Sequence, residues 1–181
     1  MSTIVAVKKN GVVCIGADTQ ITMGETSLGN IKSNSKLIKT SSGWIGTAGY
    51  AAIQNNLEEF VVSNPTLGLN TKMGISKSIK LFTEYLIEEC FFTPNGDESV
   101  VSIESTFLVT TQDDIFIVTS DMCVLEVDRF IAIGSGKEYA LGAMDYIYRE
   151  NNFDAKSICQ QALEVACTYD IYSAIPLEIR T

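Results

Sequence analysis

The chain has 181 residues, 46% hydrophobic and 19% charged, which fits one globular domain with a sizeable core and excludes a disordered chain. Its formal charge of −9, with Lys and Arg scattered, argues against a nucleic-acid partner, whose phosphates demand clustered cations. Histidine is absent, so Ser-His-Asp and Cys-His hydrolysis and His-ligated metals are excluded within one chain, and any covalent chemistry must use Lys, a carboxylate or an α-amine as base.

The N-terminal stretch reads as a hairpin. Val5 and Val7 alternate with smaller or polar residues, Asn10-Gly11 is the strongest two-residue turn signal, and Val12 to Ile15 returns towards Gly16-Ala17-Asp18. If Met1 is removed, Ser2 becomes a terminal residue with hydroxyl and free α-amine on one skeleton, a nucleophile with a built-in base. Residues 19–34 are rich in Thr, Gly, Ser and Asn and read as a long ordered loop. Residues 36–39 and 44–47 flank Ser41-Ser42-Gly43 as a second hairpin.

Ile53, Leu57, Phe60 and Val61 then fall on one helical face within residues 51–62, which Asn64-Pro65 ends. Ile75, Ile79, Phe82 and Leu86 repeat the pattern within residues 73–89, and residues 91–105 read as an exposed acidic loop. Strands are expected at 106–110, 115–119, 124–127 and 130–133. Gly134-Ser135-Gly136 opens a helix with Tyr139, Ala143, Tyr146 and Ile147 on one face. Asp154 caps a last helix that points Ile158, Ala162, Val165, Ala166 and Tyr169 inward, and residues 177–180 close as an edge strand. Strands, two helices, strands, two helices imply an α+β fold of two mainly antiparallel sheets packed face to face with helices outside each.

The five cysteines (Cys14, Cys90, Cys123, Cys159 and Cys167) lack Cys-x-x-Cys spacing, so reduced thiols in a cytoplasmic protein are expected, and neither a zinc site nor any other cofactor is implied. No apolar run spans a bilayer and no signal peptide is visible, so no membrane partner is expected.

Taken together, Ser2-Thr3-Ile4-Val5-Ala6-Val7, Gly16-Ala17-Asp18, Ser35-Lys36-Leu37-Ile38, Gly46-Thr47-Ala48-Gly49, Ala132-Ile133-Gly134-Ser135-Gly136 and Asp170-Ile171-Tyr172-Ser173 resemble the proteasome β-subunits and the HslV-type protease rings. The likeness spans nearly the whole chain, 1–181 as a single proteasome β-subunit-like domain, and is nearest to small bacterial proteasome homologues. It implies the four-layer α-β-β-α sandwich of N-terminal nucleophile hydrolases. It also implies hydrolysis of peptide bonds in unfolded polypeptide inside a homo-oligomeric ring of six or seven subunits, stacked or single, fed by an ATP-dependent unfoldase.

Carried over position by position, Ser2 stands where the family has its nucleophilic threonine, with Asp18 and Lys36 as its aspartate and lysine. Ser135, Asp170 and Ser173 match the outer polar set that holds the free amine, and the Gly49 N–H matches the oxyanion donor. Thr22 and Ala51 match residues that pair with the substrate backbone, and Ile21, Ile38 and Thr47 would line the specificity pocket. The chain departs from the family in its serine nucleophile, in Tyr50 replacing the second glycine of the usual pair, and in the expected lack of a propeptide, only Met1 preceding Ser2.

Taken singly, these residues have blander readings: Asp18 as a turn residue, Lys36 as a solvated cation, residues 134–136 as a helix-opening turn. Two other classes of function also stay open, an amidase acting on a small molecule with the same apparatus, and a non-catalytic ring protein that keeps Met1.

Overall fold

The computed structural model describes residues 2–28, 31, 35–90 and 102–181. β1 (Thr3–Lys9) and β2 (Val12–Asp18) form the expected hairpin, with Lys9 opposite Val12. Both turn residues have positive φ, 53° at Asn10 and 76° at Gly11, as a tight turn matched to the strand twist requires. The stretch read as a loop carries a small ribbon, β3 (Thr22–Met23) paired with β4 (Thr26–Ser27), while residues 29–30 and 32–34 lie outside the described ones.

β5 (Leu37–Lys39) and β6 (Gly43–Ala48) make the second hairpin, its turn held by Thr40 Oγ1 accepting from the Ser42 and Gly43 N–H groups. α1 (Ala51–Ser63) buries Ile53, Leu57, Phe60 and Val61, the face expected from their spacing, and ends at Asn64. α2 (Lys72–Glu88) starts where Thr71 Oγ1 accepts from the Gly74 N–H.

β7 (Thr106–Thr111), β8 (Ile115–Val118), β9 (Val124–Val127) and β10 (Phe130–Gly134) follow, then α3 (Lys137–Tyr148), α4 (Ala155–Tyr169) and β11 (Leu177–Arg180). Asp154 caps α4 by accepting from the Ser157 N–H, as expected.

One sheet has the order β10-β1-β2-β11 and the other β5-β6-β7-β8-β9, and every pairing described is antiparallel. Ile4, Ala6 and Ile15 of the first sheet meet Leu37, Leu108 and Ile115 of the second between the layers. The opposite face of β1, Val5 and Val7, packs on Ala140, Met144, Ile158 and Ala162 of α3 and α4. On the far side, α1 and α2 cover Ile45, Phe107 and Val109. The result is a four-layer α-β-β-α sandwich. The middle of β1, residues 4–7, is apolar on both faces because both are covered.

Three expectations need correction. α3 turns Ala140 and Met144 inward, whereas Tyr139 and Tyr146 are 45% and 76% exposed. On α4, Tyr169 is 65% exposed and lies against Tyr139 on the outer surface, ring centroids 5.7 Å apart, while the buried face includes Cys159 and Leu163. In both helices small side chains let the helices lie close to the sheet, and bulky amphipathic tyrosines fit better at the wet rim. The stretch read as an exposed loop also buries Ile103 and Ser105; residues 91–101 of it lie outside the described ones.

Candidate active site

Ser2 precedes β1, and sheet order decides its neighbours. Thr3 lies opposite Gly134 and Ile4 opposite Ala17, so the ends of β10 and β2 emerge on either side of Ser2. The second sheet delivers Lys36 just before β5 and Gly49 just after β6, joined where the Thr47 N–H donates to the Lys36 carbonyl. Four segments distant in sequence therefore meet at one shared edge of the sandwich.

Asp18 is fully buried and acts as the hub. Its Oδ1 accepts from the Thr3 N–H at 2.7 Å and from Lys36 Nζ at 2.8 Å, and its Oδ2 from the Gln20 N–H at 2.9 Å and the Ala174 N–H at 3.4 Å. Lys36 is 3% exposed and ion-paired to that carboxylate. A buried charge is tolerated only when paired and hydrogen-bonded, and both conditions hold here.

Burial pushes Lys36 below its ordinary pKa of 10.5, an effect that the Asp18 charge and hydrogen bond oppose without cancelling. The sign of the consequence follows directly. Between the folded pKa and 10.5 the unfolded chain binds more protons than the native one, so this group makes stability rise with pH across that window. Urea unfolding as a function of pH is expected to show wild type gaining on Lys36→Met as pH climbs towards 10.5; parallel curves would contradict the shift.

A second polar set lies on the other side of Ser2. Asp170, at the C-terminal end of α4, accepts at Oδ2 from Ser135 Oγ (2.7 Å) and Ser173 Oγ (2.6 Å). Ser173 Oγ and Thr3 Oγ1 are 2.6 Å apart. The Ser135 N–H donates to the Ser2 carbonyl at 2.7 Å, with Ser135 Oγ at 3.3 Å from the same oxygen. The described contacts of this set thus grip Ser2 by its carbonyl and through Thr3.

These groups border a cavity of about 730 Å³, onto which Ser2, Lys36, Gly49 and Ser135 all open. Ile21, Thr22, Thr47 and Ala51 are also in its wall. Ile38 is not. It is buried with Ile45 and Ile53 in the core beneath α1, because alternation along β5 turns it away from the site. Asp18, Asp170 and Ser173 sit behind the wall and hold it.

Sequence reasoning missed Thr3, whose N–H and hydroxyl join the two polar sets, and the wall residues Gln20, Gln54, Glu104 and Lys137. Thr3 had a signal, since a threonine next to Ser2 and directly before the apolar run of residues 4–7 asks for a partner; the wall residues had none. Cys167 borders the same charged groups, but burial pushes its thiol up to about 11, which makes it a poor nucleophile near neutrality.

The family model described as Proteasome subunit matches residues 1–181. The ATP-dependent protease subunit HslV of Petrotoga mobilis is 31% identical over 177 residues, covering 95% of this chain and 92% of that protein. The solved structure titled Thiobacillus denitrificans BPH superposes with a TM-score of 0.92 at 25% identity, covering 98% of this chain and 96% of that one. A second structure, of that protein in complex with epoxomicin, gives 0.91 at the same identity and coverage. With a family match that runs from the first residue to the last and a fold shared with solved structures, this chain belongs to the proteasome subunit family.

Proposed function

We propose that the chain is the peptidase subunit of a homo-oligomeric ring, and that Ser2, freed of Met1, is its nucleophile. The observation that carries this reading is the opening of Ser2, Lys36 and Gly49 onto one cavity, with the buried Asp18 carboxylate holding both Lys36 and the backbone next to Ser2.

In this mechanism the α-amine, with an ordinary pKa of about 7.7–8.0, takes the Ser2 Oγ proton as Oγ bonds to the scissile carbonyl carbon. Carbonyl oxygen becomes an oxyanion facing the Gly49 N–H, and Lys36 favours both the neutral amine and the developing negative charge. Collapse breaks the C–N bond, and the terminal ammonium returns its proton to the departing amine. Water then attacks the Ser2 ester with the α-amine again as base, releasing the acid and restoring the hydroxyl. Kinship with a protein named as a subunit of an ATP-dependent protease supports unfolded polypeptide as substrate and an ATP-driven partner to supply it.

Epoxomicin, a peptide epoxyketone, tests the nucleophile, because its two electrophilic carbons need a hydroxyl and a free amine on one residue. Intact mass is expected to show loss of Met1 and, after treatment, one adduct mapping to Ser2, with peptide hydrolysis abolished in Ser2→Ala. Hydrolysis that survives Ser2→Ala would sink the reading. A Ser2 adduct with cleavage of small amides but no peptides would move the assignment to an amidase.

A further inference from the structure

Lys137, the first residue of α3, opens onto the cavity beside Gly134 and Ser135, and no part of the proposed chemistry uses it. Its position in the cavity follows from sheet order. β1 lies between β10 and β2, so Ser2 is flanked by the chain leaving β2 on one side and the chain leaving β10 on the other. Gln20, Ile21 and Thr22 form the first wall, which continues into Thr47, Gly49 and Ala51 from the second sheet. Gly134, Ser135 and Lys137 form the second.

If the acyl half of the substrate lies along Ile21, Thr22, Thr47 and Ala51, where the family resemblance puts it, the departing amine half leaves past the β10–α3 wall. Lys137 is the cation of that wall. The other charged residues bordering the cavity are Lys36, already held by Asp18, and Glu104, whose backbone carbonyl lies beside Gly49. Glu138, 3.7 Å from Lys137 Nζ, is its ion-pair partner, and both side chains are more than half exposed, so this contact is weak and easily exchanged.

We propose that Lys137 is a specificity residue for the leaving side, favouring peptides with an acidic residue immediately after the scissile bond. This rests on the peptidase reading above. In a protein of formal charge −9 the selection is not automatic, because the long-range field repels acidic peptide and only a local cation at the wall can reverse that preference.

The test uses two internally quenched peptides that differ only in the residue after the cleaved bond, Glu or Lys, with product masses confirming the bond. Wild type is expected to show a kcat/KM ratio of about two- to fivefold in favour of Glu, falling as salt rises. Lys137→Glu is expected to invert the ratio, and Lys137→Gln to bring it near one, which guards against misfolding of the charge-reversed variant; Ser2 adduct formation with epoxomicin reports an assembled site in each. Equal ratios in wild type and both variants would overturn the assignment of Lys137 while leaving the peptidase intact. Failure of wild type to cleave either peptide would overturn the peptidase reading, and this one with it.

Discussion

Asp18→Asn is expected to destabilise the fold by about 3–5 kcal/mol and to abolish hydrolysis. The carboxylate is fully buried and accepts four donors: the Lys36 ammonium and the N–H groups of Thr3, Gln20 and Ala174. An amide has one acceptor oxygen, so its NH₂ must face donors whichever way it turns, and Lys36 is left buried without a counter-charge. The same change releases the backbone beside Ser2 and removes the opposing charge that limits the downward shift of Lys36. Urea denaturation should show a lower midpoint at unchanged slope. Adding Lys36→Met removes the stranded cation, so the double variant is expected to recover about 1–3 kcal/mol of the loss while hydrolysis stays absent. A single-variant loss below about 1 kcal/mol, or no recovery in the double variant, would mean that the pair is not the buried hub described here.

What could be read in advance was whatever depends on local sequence. Asn10-Gly11 forces a two-residue turn wherever it sits between strand formers, and the spacing of Ile53, Leu57, Phe60 and Val61 defines one helical face. α3 was misphased because Tyr139 and Tyr146 count as hydrophobic in a periodicity argument yet can keep their bodies at a rim. Ala140 and Met144, which do face the sheet, give a weaker periodic signal.

The site was legible for a different reason. Ser2, Asp18, Lys36, Ser135, Asp170 and Ser173 were named through resemblance, and no spacing rule connects residues drawn from both ends and the middle of the chain. Their meeting depends on the strand order β10-β1-β2-β11 and on the stacking of the second sheet beneath it. Ile38 shows the limit of that route, since a matched position faced the core instead of the cavity. Lys137 shows the complementary limit: a lysine opening a helix is an ordinary surface residue until the strand beside Ser2 is known to end next to it.

The second large effect is expected from Gly49→Ala. Gly49 has φ of 155°, sits at the turn between β6 and α1 and lines the cavity. A methyl group there would run into Ser105 Oγ and lie 2.8 Å from the Glu104 carbonyl oxygen, so the substitution must move the loop, the 104–105 backbone, or both. Ser105 is buried, at 3% exposure, directly before β7, which leaves its side chain little room to move. The oxyanion donor proposed at Gly49 would then be displaced, and loss of one such donor slows acyl transfer by about 10²–10³-fold. Because the interaction is made with the oxyanion and only weakly with the ground-state carbonyl, kcat should carry most of the loss and KM little of it. Ser105→Gly on the Gly49→Ala background removes the side chain that the methyl meets and is expected to restore part of the rate, which a purely electronic role for Gly49 would not allow. If Gly49→Ala instead raises KM and leaves kcat intact, the oxyanion donor lies elsewhere on the cavity wall, and Gly49 serves only to shape the turn.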